Sequence, residues 1–195
     1  EDGFSKLVVQ DFVTRRALPQ PDLPAGVISG LGFSPDGAKL GFSLATATAA
    51  SDAWSWGVTD GKLERWTASE LGGLDPKALV APALVRYPSF DKRSIPALIY
   101  KPKLAQGRKA PVIIDIHGGP EGQSRPTVNT FSQHAVAELG AAVIIPNVRG
   151  STGYGKTYLN LDNAEKREDS VKDIGALLDW IKTQPDLDPS RVVVS

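Results

Sequence analysis

The sequence predicts an α/β protein preceded by a smaller antiparallel β unit, and three observations predict it. Residues 27–66 hold four short strand-like runs separated by turn signals. From residue 95 onward, apolar β-branched runs alternate with segments of helical period, the pattern of a sheet flanked by helices. Between them, residues 67–88 carry Gly72-Gly73, Pro76, Pro82 and Pro88 and hold no period, as a linker does. The boundary falls near 75–85, and the domains are read as 1–80 and 81–195.

Each element follows from its residues. Val27 to Ser34 alternates loosely, and Ser34-Pro-Asp-Gly37 turns the chain, since Pro pre-sets φ and Gly tolerates φ > 0. Lys39 to Leu44 returns, Ala53 to Val58 follows, and Thr59-Asp-Gly61 turns into Lys62 to Trp66. Four strands in about 40 residues match one propeller blade. Leu7 to Phe12 would belong to the blade before it. Trp54 and Trp56 share a strand face and, with Trp66, suit packing between blades better than carbohydrate stacking. A short helix is predicted around Pro76 to Val80. Ile95 to Lys101 reads as a strand, placed at a sheet edge by Pro96. Pro111 to Ile116 and Ala141 to Pro146 read as strands buried on both faces. Thr127 to Leu139 is a helix with Val128, Phe131, Ala135 and Leu139 on one side and Gly140 past its end. Ser170 to Thr183 is a second helix, striped by Val171, Ile174, Leu178 and Ile181, with Asp169 or Ser170 as cap and Pro185 beyond. Val192 to Ser195 begins a last strand. The order argues a parallel sheet with right-handed crossovers.

Composition narrows the chemistry. Lys+Arg and Asp+Glu both number 22, so no charge surplus suggests nucleic acid. No apolar run reaches about 18 residues, so no membrane span is expected. Cysteine is absent, which removes disulfides, thiolate metal sites and a cysteine nucleophile from these residues. Methionine is also absent and the chain opens at Glu1, so a processed, trimmed or internal piece is expected; the compartment is left open.

The motif richest in chemistry is His117-Gly-Gly-Pro120, at the end of an apolar strand. Glycines there let backbone N–H groups face a cavity, as an oxyanion hole requires, and a loop of this type follows the third strand of α/β-hydrolases. His117 is not read as a catalytic base, because in that fold the base follows the nucleophile. Two histidines as far apart as His117 and His134 make a poor metal site, and His134 reads as a partly buried or surface residue. Gly150, Gly153 and Gly155 lack the Gly-Lys-Ser/Thr of a phosphate loop. Arg149, just past a strand end, either binds substrate or braces loops by bidentate hydrogen bonds, with bracing favoured. Asp162 to Asp173 reads as the solvated start of a helix.

Four stretches together resemble the prolyl oligopeptidase family of serine peptidases, nearest its acylaminoacyl-peptidase and bacterial dipeptidyl-peptidase branch. They are His117-Gly-Gly-Pro120; Asn147-Val-Arg-Gly-Ser-Thr-Gly-Tyr-Gly155; Arg167-Glu-Asp-Ser-Val-Lys-Asp-Ile174 with Asp179-Trp-Ile181; and Asp188-Pro-Ser-Arg-Val-Val-Val194. Phe33-Ser-Pro-Asp-Gly37 fits a family that places a β-propeller before its catalytic domain. The resemblance implies the N-terminal half of an α/β-hydrolase domain preceded by the last blade or blades of a propeller. It implies hydrolysis of short peptides through an acyl-enzyme, with no metal or organic cofactor. It assigns the Gly119 N–H, beside Gly118, to the oxyanion hole; His117 itself reads as bracing that loop through a ring hydrogen bond. It puts the nucleophile of a Gly-x-Ser-x-Gly elbow roughly three residues past Ser195, with Asp and His later. Ser195 itself then falls short of the elbow, no triad residue lies in the chain, and the chain alone is expected to be inactive. Two other readings stand beside this one: an esterase or acyl-hydrolase of the same fold, and a non-catalytic interaction module or pseudoenzyme. The strand near Val192 to Ser195 is expected to leave an open sheet edge, through which the chain would associate with itself or a partner.

Overall fold

The computed structural model describes residues 2–119 and 121–195. Glu1, and Pro120 of the His117 motif, lie outside the described residues. The chain separates into two compact units. One is Gly3–Leu79 with Pro126–Val128; the other is Val80–Arg125 with Asn129–Ser195.

The first unit is built on a four-stranded antiparallel meander. β1 (Val27–Phe33), β2 (Lys39–Ala45), β3 (Asp52–Gly57) and β4 (Leu63–Arg65) pair in chain order. The two-residue period of β2 buries Leu40, Phe42 and Leu44 on one face. Trp56 lies opposite Leu40 and Leu63, and Trp54 opposite Phe42, so both indoles join that face. The predicted strand at Leu7 to Phe12 is absent; only a single bridge joins Gln10 and Ala17. Leu18 N–H donates to Val9 O and Asp11 N–H to Arg16 O across that bridge, both at 2.9 Å, and the Gln20 amide adds to them. It accepts from Val9 N–H at 2.8 Å and donates to Val9 O at 3.0 Å. Val9 is thereby pinned into the meander core without a partner strand.

Asp52 anchors the far side of β3. It accepts from Ser69 N–H and the Thr67 hydroxyl, both at 2.8 Å, and pairs with Arg65. Burial raises its carboxyl, but these bonds outweigh that and hold it at about 2. A carboxyl depressed in the folded state stabilises it above the ordinary carboxylate value and loses that stabilisation as pH falls through about 2. The urea midpoint should therefore drop as pH falls from about 4 towards 2, and Asp52→Asn should flatten that part of the profile. Equal slopes in both proteins would contradict the assignment.

The second unit is a five-stranded mixed sheet. Its strands are β5 (Ala83–Pro88), β6 (Ser94–Tyr100), β7 (Ala110–Ile114), β8 (Ala142–Pro146) and β9 (Leu187–Val194), in spatial order β5-β6-β8-β7-β9. Only β7, β8 and β9 run parallel; β5 and β6 are antiparallel to their neighbours, so the expected parallel sheet is a mixed one. β5 lies in the stretch read as linker, where the short 3₁₀ turn Pro76–Ala78 does form. Pro96 is central rather than at an edge. It sits just past the last β6–β8 pair, Ala97 opposite Pro146, and its carbonyl accepts from Asn147 N–H at 2.9 Å. The Asn147 carbonyl, which an N–H at position 96 would have met, takes the Tyr158 hydroxyl at 2.7 Å instead.

The helices differ from expectation in phase. α1 (Thr130–Ala137) is capped by Asn129, whose side chain accepts from Ser132 N–H. It buries Ser132, Gln133, Ala135 and Val136, while Phe131 and Leu139 are exposed. Gln133 is held inside by Val80, accepting from its N–H at 2.9 Å and donating to its carbonyl at 2.8 Å. α2 (Lys156–Leu159) and a 3₁₀ turn at Asn160–Asp162 lead into the segment read as a solvated helix start, a second 3₁₀ turn (Ala164–Lys166) lies within it, and the acids at its two ends, Asp162 and Asp173, are buried rather than solvated. α3 (Arg167–Lys182) begins before Ser170 and buries Asp173, Leu177 and Ile181; Val171 is exposed. Leu177 and Ile181 pack on Ile99, Val112, Ile114 and Ile144 of the sheet.

Candidate active site

Parallel β7, β8 and β9 send their carboxyl ends to one edge of the sheet, where open α/β sheets place their sites. β7, third of this sheet in chain order, leads into His117-Gly118-Gly119. β8 leads into Asn147 to Ser151. β9 ends at Ser195, whose N–H donates to Ile114 O at 2.8 Å and whose carbonyl accepts from Ile116 N–H at 3.0 Å. The His117 turn thus starts one residue beyond the β7–β9 ladder.

Gly118 and Gly119 are exposed, and Gly119 takes φ +136°. Among the described residues, neither N–H has a protein acceptor.

The loop after them is stitched to the loop after β8. His117 Nε2 lies 2.9 Å from Ser151 Oγ. Thr152 N–H donates to Gly122 O at 2.8 Å. Ser124 N–H donates to Asn147 Oδ1 at 2.7 Å, while Asn147 Nδ2 donates to Ser124 O and the Tyr154 hydroxyl, both at 3.0 Å. Asn147 and Ser151 are buried. Burial pushes the Tyr158 phenol up, so it remains a proton donor to the Asn147 carbonyl. Gly153, at φ +86°, lies against Gln123, whose amide would meet a Cβ at 2.3 Å. Gly150, at φ +93°, lies against the buried Asp162 carboxylate, which would meet a Cβ at 2.2 Å. At these positive φ values a side chain would be strained at either point whatever room the neighbours gave it.

Arg149 is 3% exposed and faces acids from two other elements. Its Nε and Nη2 bond Asp173 of α3 at 2.8–3.1 Å, and its own N–H donates to Asp173 Oδ2 at 3.0 Å. Nη1 and Nη2 grip Asp91, in the β5–β6 turn, at 3.2 and 3.1 Å. Asp169 lies 3.9 Å from Nη1, and the Phe90 ring covers the guanidinium at 4.5 Å. Burial raises the Asp91 carboxyl, but the Arg149 hydrogen bonds, the Arg93 N–H and the charges of both arginines together hold it below the usual range. The Ser89 hydroxyl donates to Asp173.

Of the residues named from sequence, His117, Gly118 and Gly119 stand at one point of the sheet edge, and Arg149 is tied away from them into α3 and the β5–β6 turn. His134 is exposed on α1. Sequence reasoning missed Ser151 as the partner of His117, although it lies inside the Asn147–Gly155 stretch, and missed Ser89, Asp91 and Asp173 as the acceptor set of Arg149. Among the described residues there is no cluster of three or more side chains suited to a metal, and no helix is long and apolar enough to cross a membrane.

Fold and site define an α/β protein with a glycine turn at the carboxyl edge of its third sheet strand. Residues 126–195 match the model of the prolyl oligopeptidase family. It is 31% identical over 117 residues to an uncharacterised peptidase, YuxL, of Bacillus subtilis, covering 58% of this chain and 18% of that protein. It is 28% identical over 118 residues to dipeptidyl aminopeptidase BIII of Pseudoxanthomonas mexicana, covering 57% and 17%. A prolyl endopeptidase structure superposes with a TM-score of 0.82 at 21% identity, over 100% of this chain and 28% of that one. The chain spans under a fifth of the length of these curated relatives.

Proposed function

We propose that this chain is part of a serine peptidase of the prolyl oligopeptidase type that cleaves short peptides through an acyl-enzyme. The observation that carries the reading is the His117-Gly118-Gly119 turn, with two backbone donors free at the carboxyl edge of parallel strands. In this reading the sheet is the N-terminal half of an α/β-hydrolase domain, and the meander is the end of a β-propeller. The Gly119 N–H holds the oxyanion as a serine attacks the scissile carbonyl, with a histidine as base and an aspartate orienting it. Those three groups come from sequence beyond Ser195. Arg149 acts as a loop brace, which its burial and acidic partners support over a role in holding substrate. β9 is an edge of the described sheet, with Val193 62% and Val194 51% exposed, and its open side receives the remainder of the sheet or another chain.

The test is labelling by a serine-reactive fluorophosphonate. The protein encoded by the complete gene should label and should hydrolyse peptide anilides as well as esters, whereas the 195-residue chain alone should not label. Hydrolysis of esters only would favour an acyl-hydrolase, and failure of the complete protein to label would remove the serine mechanism.

A further inference from the structure

His117 has two ring nitrogens with different neighbours. Nε2 lies 2.9 Å from Ser151 Oγ, and Nδ1 lies 3.2 Å from the Gly118 carbonyl oxygen. The Ser151 hydroxyl donates to the Val148 carbonyl at 2.7 Å. A serine has one hydroxyl proton, so with that proton on Val148 its oxygen only accepts, and it accepts from Nε2–H. A neutral imidazole protonated on Nε2 turns a bare lone pair at Nδ1 towards a carbonyl that also only accepts. That contact becomes a hydrogen bond when Nδ1 gains a proton. The imidazolium therefore satisfies all three contacts at once; the neutral ring satisfies two.

The Gly118 carbonyl is the other half of the peptide unit that carries the Gly119 N–H. In a planar trans peptide the two point in opposite directions, so what holds the carbonyl aims the N–H. Glycine on both sides leaves this unit little steric restraint of its own.

We propose that His117 and Ser151 are positioning residues that form a proton-operated latch on the Gly118–Gly119 peptide. Ser151 fixes the neutral tautomer of His117 with its proton on Nε2. Protonation of Nδ1 then latches the Gly118 carbonyl and sets the direction of the Gly119 N–H; loss of that proton releases it. The consequence for catalysis rests on the oxyanion role of Gly119 proposed above. The other charged groups on the segments around the turn are Asp115 on the chain leading into it, Glu121 and Arg125 on the loop after it, and Arg149 on the Ser151 loop, which is bound to Asp173 and Asp91.

Nitrogen-15 NMR of the 195-residue chain, followed through the titration of the His117 ring, tests this. In the wild-type chain, neutral His117 should be the Nε2–H tautomer, and the Gly119 amide shift should titrate with the His117 ring. In Ser151→Ala, neutral His117 is free to place its proton on Nδ1 and hold the carbonyl at every pH, so the Gly119 titration should shrink several-fold. A neutral Nδ1–H tautomer in the wild-type chain overturns the proposal even if the variant fails to fold. So does a Gly119 titration that Ser151→Ala leaves unchanged. Neither readout involves hydrolysis, so they fail or succeed independently of the peptidase reading.

Discussion

Replacing Arg149 by methionine is expected to destabilise the α/β unit by about 3–5 kcal/mol, the cost of breaking a buried ion pair from one side. Methionine keeps much of the side-chain volume and removes the charge. Asp173 is 0% exposed and would keep only the Ser89 hydroxyl and the main-chain N–H of residue 149. Asp91 is one-third exposed on its side chain and turns to water at little cost, so the penalty falls mainly on Asp173. Arg149→Met with Asp173→Leu removes both charges and should recover most of the loss, since apolar replacement of a whole buried pair is often neutral. Urea unfolding followed by far-UV circular dichroism reads both variants. A single variant within about 0.5 kcal/mol of wild type would contradict the bracing role, because that is the range of an ordinary surface substitution.

The second large effect lies in the meander. Trp56 is 1% exposed and packs with Val9, Leu40, Phe42 and Leu44. Trp56→Ala removes the largest side chain of that cluster and leaves a cavity that short strands cannot close, so a loss of about 3–5 kcal/mol is expected. Trp66 is the control. It is 62% exposed, bonded through its indole N–H to Ser55 and placed 5.6 Å from Lys39. Trp66→Ala should cost about 1 kcal/mol, the worth of one such hydrogen bond. Similar urea midpoints for the two variants would mean that the meander has no specific core around Trp56.

Local pattern made much of this architecture legible. β1 to β4 announced themselves through turn residues and alternation, and β7 and β8 through β-branched runs, because those signals lie within the strands. What the pattern hid was set by distant partners. β5 shows few deeply buried residues, Tyr87 above all, and carries prolines around it, so it read as linker. The buried face of α1 holds Ser132 and Gln133, and Gln133 is acceptable there only because Val80 meets its amide. The phase of α3 turns on Asp173, a charge that an apolar stripe never counts and that Arg149 makes tolerable. Pro96 was misplaced because Tyr158, far along the chain, supplies the hydroxyl that takes the place of its missing N–H.

The site divides in the same way. The glycine turn was readable because a strand that ends in His-Gly-Gly is a local statement about backbone freedom. Its stitching was not, since His117–Ser151, Ser124–Asn147 and Arg149–Asp91 join residues 34, 23 and 58 positions apart. Spacing alone does not encode which of several polar residues on a neighbouring loop will face the turn.

The central claim is that the Gly119 N–H holds the oxyanion. The most direct measurement incorporates glycolic acid at position 119 of the protein encoded by the complete gene, which exchanges that N–H for an ester oxygen and leaves every side chain in place. The account predicts a fall in kcat of about 10²–10³ with KM little changed, the usual effect of deleting one oxyanion donor. A kcat within about twofold of the unmodified protein would contradict it, being far below that effect.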